Sequence, residues 1–287
     1  MHRPFLATAL LVISLTSWSH ETHSASKTQR ARNLDEQPLL TKGDLMVLPE
    51  TLEPYTGKVF RLHADGRTVE SETYYRRGSV HGTRITYWSN GRKWTKTNYK
   101  QGEKHGTEAV WHEDGVKFTE TNYRRGRKHG PDMKFFDNGA LHSKVQYRDG
   151  KQHGAAVGYY DNGRIRFSAA SRNGVDHGVL KSYFPDGSKR FIKRFRKGKI
   201  YGACEAWSGD PKIRSRTVLR NGTGKCLVYH FNGTPWMVEQ YQDGLLHGPK
   251  TEYYSNGTLR YEGSYNRGKP HGKSTWYNED GTIETQL

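Results

Sequence analysis

The dipeptide His-Gly returns every 24 residues, and this spacing constrains the fold more than any other feature of the chain. It stands at His81-Gly82, His105-Gly106, His129-Gly130, His153-Gly154 and His177-Gly178. Tyr201-Gly202 continues the series. After one copy shortened by two residues, Gly224, His247-Gly248 and His271-Gly272 resume it, and Thr56-Gly57 is a degenerate first copy. Nine residues after nearly every such glycine comes another, preceded by Asn or Asp, from Asp65-Gly66 and Asn90-Gly91 to Asp280-Gly281. Only the shortened copy, at Ser208-Gly209, departs.

Asn-Gly and Asp-Gly between β-prone segments tolerate the positive φ of a type I′ turn, so each copy is predicted to be a β-hairpin. Aromatic residues keep the same register. Tyr87, Trp111, Phe135 and their equivalents follow the first glycine by five residues, and Tyr99, Tyr123 and Tyr147 follow the turn glycine by eight. Stacked hairpins would set these in columns, predicted to form ladders of rings worth ~0.2–1 kcal/mol per cross-strand pair. The glycine beside each histidine would leave bare backbone for a ring to lie on. Repeats of this length build quasi-one-dimensional arrays. The predicted fold class is therefore all-β, an elongated array of about ten antiparallel β-hairpins forming a twisted meander sheet. Two strands per copy give a rise of ~9.6 Å, and ten copies on the order of 90–100 Å.

Composition agrees with a thin, aromatic-ribbed sheet. The chain is 33% hydrophobic and 26% charged, too lean for one thick core, while 12% aromatic content argues against disorder. Residues 1–19 read as a signal peptide. Met1-His2-Arg3 is a short positive start, Phe5 to Leu15 is largely apolar, and small residues follow. Cleavage is expected after Ser19, with Ser26 as the alternative. The run is shorter than the ~20 apolar residues of a membrane span, so an uncleaved anchor is the lesser reading. Residues 20–53 are a polar lead-in or linker, and 54–287 form the repeat domain. The expected location is exported, periplasmic or extracellular.

The frame Tyr-x-x-Gly-x-x-His-Gly, as in Tyr99-Lys-Gln-Gly102-Glu-Lys-His105-Gly106, resembles the MORN repeat. With its Asn/Asp-Gly turn it is similar to the bacterial MORN variant, which also occurs in proteins named as antitoxins. The resemblance covers the chain from about Tyr55 onward, and implies membrane-lipid association, protein docking or scaffolding. The second glycine of the usual His-Gly-x-Gly is absent, as in His81-Gly-Thr-Arg and His105-Gly-Thr-Glu.

The formal charge of +17 is distributed unevenly. The residues flanking the nine Tyr-x-x-Gly glycines include seventeen basic and four acidic side chains, whereas those flanking the Asn/Asp-Gly turns include six and eight. One long edge of the sheet is thus strongly positive, which attracts polyanions. The candidate anion-binding residues are Arg76, Arg77, Arg124, Arg125, Arg127, Lys128, Arg196, Lys197 and Lys199. A solvated surface kept soluble by charge is the competing reading.

Seven histidines recur in equivalent positions. At ~9.6 Å spacing they cannot share a metal whose ligands lie within ~2.1 Å, so a structural role in the turn is expected, with no metal and no cofactor. Cys204 and Cys226 are the only cysteines. A regular meander would hold them ~9.6 Å apart, beyond the ~7 Å limit for a disulfide. They flank the shortened copy, which could bring them together, and both outcomes stay open.

No Gly-rich phosphate loop, metal cluster or nucleophile elbow is present, so the chain is expected not to be an enzyme. The leading expectation is an exported repeat scaffold binding anionic partners through the basic edge: a membrane surface, an acidic surface polymer or an acidic protein. The alternative is a protein-docking or antitoxin-like neutralising module using the aromatic columns. Nucleic acid is the lesser candidate because of export, and no small-molecule substrate is expected.

Overall fold

The computed structural model describes residues 29–287. The signal segment and its cleavage position lie outside the described residues. Three short strands precede the array: β1 (Gln29–Asn33), β2 (Leu40–Lys42) and β3 (Leu45–Val47). The array opens with β4 (Gly57–Leu62), β5 (Val69–Arg76) and β6 (Ser79–Tyr87). β1 pairs in parallel with β4, and β2 with β3 forms a separate ribbon. Val47 and Tyr55 are among the most buried side chains, and the Met46 N–H donates to the Gly78 carbonyl at 2.9 Å. Residues 29–53, read as a lead-in or linker, thus dock on the first hairpins and cover an edge that would otherwise offer unpaired backbone.

From β4 onward the strands form successive antiparallel hairpins, with one break described below, and the described residues contain no helix. The two turn types are the reverse of the sequence expectation. The type I′ turns sit at Tyr-x-x-Gly, where Arg77 (φ 51°) and Gly78 (φ 78°) are both left-handed. At Asn90-Gly91 only the glycine has positive φ. The Gly91 N–H donates to Trp88 O at 2.9 Å and the Trp88 N–H to Arg92 O at 2.8 Å, closing a three-residue loop. The asparagine serves as a side-chain acceptor there, its Oδ1 taking the Arg92 N–H at 2.9 Å. Its neighbour supplies the left-handed residue.

His-Gly is likewise a bulge inside the strand, not a turn. β5 and β6 pair at Tyr75↔Val80 and again at Thr73↔Arg84, so His81-Gly82 falls in extra chain that shifts the register. Each of these glycines has positive φ (Gly106, 92°), which favours glycine whatever lies nearby. A β-carbon on Gly106 would meet Asn98, not a ring, so backbone conformation explains the residue.

The meander does not run unbroken. It divides at the shortened copy into a sheet of 17 strands and a sheet of seven. Strands Arg214–Leu219 and Gly224–Tyr229 are joined through a single bridge, Arg220↔Thr223, and then part. The second sheet packs on the first, and the densest core lies between them. Phe191 and Ala206 meet Val228 and Met237; Ile200, Cys204 and Leu219 meet Cys226 and Tyr241. The turns close tightly there: Gly244 N–H donates to Gly222 O at 3.0 Å, and Ile200 N–H to Gly244 O at 2.9 Å. A β-carbon on Gly244 would lie 2.7 Å from that of Lys199, so no side chain fits.

Lys193 and Glu239 form a buried ion pair across this joint, and the Tyr241 hydroxyl donates to Glu239 at 2.8 Å. Burial opposes both charges, yet the Lys193 ammonium and the donated hydrogen bonds hold the Glu239 carboxyl below its ordinary pKa. Removing one partner leaves an uncompensated buried charge. Lys193→Met or Glu239→Leu alone should cost about 3–5 kcal/mol in denaturant unfolding, and the double substitution much less. Because the folded pKa of Glu239 is depressed, its contribution is fully present above the ordinary value of 4.5 and fades as pH falls through the folded one. Melting curves from pH 7 to 3 should show this loss, reduced in Glu239→Gln.

Candidate anion-binding edge

The type I′ turns form one long side of the first sheet, and their backbones are joined in a row. The N–H of each turn glycine donates to a carbonyl of the preceding copy: Gly102 to Val80 at 2.8 Å, Gly126 to Lys104 at 2.9 Å, Gly150 to Lys128 at 2.9 Å and Gly174 to Gln152 at 2.8 Å. These bonds fix the turns at one spacing, so the apex side chains make an ordered row. Arg76, Arg77, Arg124, Arg125, Arg127, Arg196, Lys197 and Lys199 are all exposed on it.

Arg124 bridges Asp149 at 3.2 Å, and His129 approaches the same carboxylate at 3.3 Å. Lys128 departs from the expected role. It is half-buried, bonded to Asp132 at 2.8 Å and held over the Tyr147 ring at 5.1 Å. Lys104 repeats the arrangement one copy earlier, with Glu108 at 2.6 Å and Tyr123 at 5.0 Å. These lysines belong to the sheet's internal packing. Burial, and then the Glu108 carboxylate, push the Tyr123 hydroxyl up to about 12.

The same geometry corrects the ring ladders. Among the described residues, no ring–ring contact joins two members of one aromatic column. Equivalent rings stand a full copy apart, ~9.6 Å, and lysine–carboxylate pairs fill the gap. The close ring pairs instead flank the Asn/Asp-Gly loops, three residues either side of the glycine: Trp88 with Trp94 at 5.0 Å, His112 with Phe118 at 4.8 Å and Phe136 with His142 at 4.6 Å. This regularity was present in the sequence but was hidden beside the stronger Tyr87 column. That edge is joined between copies by side chains, with Trp88 Nε1 donating to Trp111 O at 3.2 Å and Asn90 Nδ2 to Glu113 O at 3.0 Å.

The seven repeat histidines remain separate. Among the described residues no group of three or more His, Cys, Asp or Glu side chains could hold a metal. The shortened copy does bring Cys204 and Cys226 together, as buried free thiols hydrogen-bonded to each other. That hydrogen bond, with the nearby Lys193 ammonium, favours the Cys204 thiolate against the effect of burial.

The described residues form a long all-β hairpin array with a docked lead-in and an ordered basic edge, the architecture of a repeat scaffold. The family model of the MORN repeat variant matches residues 246–267 and 270–287. Over these residues the chain is similar to the MORN repeat variant, and the matched copies continue the 24-residue register of those before them. Comparison with the curated proteins gave no match.

The first turn residue is left-handed in every copy, where asparagine is favoured several-fold over ordinary residues, a preference worth about 1 kcal/mol. Asp149, Asn173, Asn221 and Asp243 obey it, whereas Arg77, Arg125, Lys197 and Arg267 do not. Arg125→Asn should therefore raise the melting temperature by about 2 °C. A fall would show that the arginine is required for packing.

Proposed function

We propose that this protein is a non-catalytic scaffold, working outside the cytoplasm, that binds anionic partners through the basic turn edge. The observation that carries the reading is the left-handed conformation of Arg77, Arg125, Lys197 and Arg267. Local backbone preference opposes a long basic side chain there, and solubility alone does not require charge at a turn apex. A side chain kept against local preference is best explained by what it contacts. Arg76, Arg77, Arg125, Arg127, Arg196, Lys197 and Lys199 form no ion pair within the described chain, which leaves them available to a ligand. The export signal read in residues 1–19 supports an envelope or extracellular partner over nucleic acid. Docking through the aromatic columns has less support, since Tyr123 and Tyr147 lie beneath lysines.

The test is a variant carrying Arg77→Asn, Arg125→Asn, Lys197→Asn and Arg267→Asn, titrated with polyphosphate over a salt series. Affinity should fall, and the slope of log affinity against log salt should flatten by on the order of one per side chain that meets the anion. The variant should melt no lower than the parent. Equal affinity and slope in both proteins would make the charge a solubility device.

A further inference from the structure

The face of the first sheet that receives the second sheet changes character along its length. Four residues beyond the turn glycine, its residues are Thr95, Thr119 and Ser143 in the early copies, then Phe167 and Phe191, and the equivalent Met237 of the second sheet faces them. Phe191 and Met237 lie in the core between the sheets. The hydroxyl half remains open, and beside it Trp94 and Phe118 are each 45% exposed. A row of hydroxyls bordered by flat apolar rings suits a ligand that is polar at its edges and apolar on its faces.

At the start of this half lies a cavity of about 580 Å³, partly roofed by Leu34 and Met46 of the lead-in. Its floor carries the Ser71, Thr73 and Thr86 side chains, its wall Trp88 and Trp94, and its rim Arg61 and Arg84. Both arginines are exposed and neither has an ion-pair partner among the described residues. Among the described residues, Glu70 is the one carboxylate lining the cavity. The Trp88 indole N–H is given to Trp111 O and its ring packs against Trp94, whose half-exposed ring is left to meet a ligand.

We propose that this open half is a binding track for an acidic oligosaccharide, one sugar carboxylate being held in the cavity by Arg61 and Arg84. Guanidinium groups recognise a carboxylate through paired N–H donors. The rings of Trp94 and Phe118 take the apolar faces of sugar rings, and the serine and threonine hydroxyls exchange hydrogen bonds with sugar hydroxyls. Successive copies rise ~9.6 Å, so an extended chain meets an equivalent ring every few sugar units. The site lies on a sheet face and is separate from the basic turn edge, so it stands or falls independently of the edge reading.

The experiment is calorimetric titration of the four-Asn edge variant, in which binding at the turn edge is already weakened. The probes are an oligomer of a uronic acid, the neutral oligomer of the same sugar and linkage, and polyphosphate. The uronic acid oligomer should bind, the neutral one should bind on the order of tenfold more weakly, and Trp94→Ala or Arg61→Gln/Arg84→Gln should each cost about tenfold. Trp94→Phe should restore most of the first loss, and an unchanged melting curve would show that the variants fold. Absence of uronate binding, or binding indifferent to Trp94 and both arginines, overturns the proposal. So does polyphosphate binding that falls equally with Trp94→Ala, because a bare anion has no ring to stack. Failure of the edge reading appears elsewhere, as polyphosphate affinity equal in the parent and edge variant.

Discussion

The hydrogen bond from the turn glycine to a carbonyl of the preceding copy, made by every turn glycine except Gly222 at the shortened copy, is the contact on which the rest of the array depends. A chain this lean in apolar residues cannot rely on a thick core, and isolated hairpins are marginal in water. Stability has to come from coupling between neighbours. On one side the turn glycines supply that coupling through backbone, as in Gly126 to Lys104 at 2.9 Å. On the other, side chains such as Trp88 and Asn90 reach across to the next copy. The left-handed first turn residue, the His-Gly bulge and the 24-residue period are all required by this arrangement. The bulge displaces the strand after the turn, and the turn glycine of the next copy bonds to the carbonyl of the residue just before that bulge.

The shortened copy puts the same elements to another use. Its strands separate after one bridge, and the second sheet folds back onto the first. Apolar residues appear on the shared face where it does so, and the Lys193–Glu239 pair closes the joint. The protein thus has three distinct surfaces: a covered face at the joint, a hydroxyl-bearing face that stays open, and a basic edge along the turns. Because the turns are bonded in register, charges on the edge cannot spread apart freely, and their mutual repulsion is held in the fold. An anionic partner of the proposed kind would relieve that repulsion.

Much of this was legible in the sequence. The hairpins, their number and their aromatic columns follow from a period that recurs with little variation. The turn types were not, because the Asn-Gly dipeptide suggests type I′ while the loop closes with three residues and leaves asparagine a capping role. The true type I′ positions hold Asp149, Asn173, Asn221 and Asp243 in some copies but Arg77, Gln101 and Lys197 in others, so turn preference does not mark the column as a whole. The ring ladders failed for want of one distance, since a whole copy separates equivalent tyrosines. The fold-back is a tertiary event. Its local traces were the missing Asn/Asp-Gly turn, two cysteines and the change from Thr95 to Phe191 in one column, and nothing in the sequence marks Lys193 and Glu239 as different from surface charges.

The most direct test of the working edge is flotation of the protein with anionic and neutral liposomes at low and moderate salt, with a soluble polyanion as competitor. Binding confined to the anionic vesicles, weakened by salt and displaced by the polyanion, is the predicted result. Equal binding to both vesicles, or binding to neither at low salt, would contradict an anion-binding edge and leave the charge as a means of keeping a thin sheet in solution.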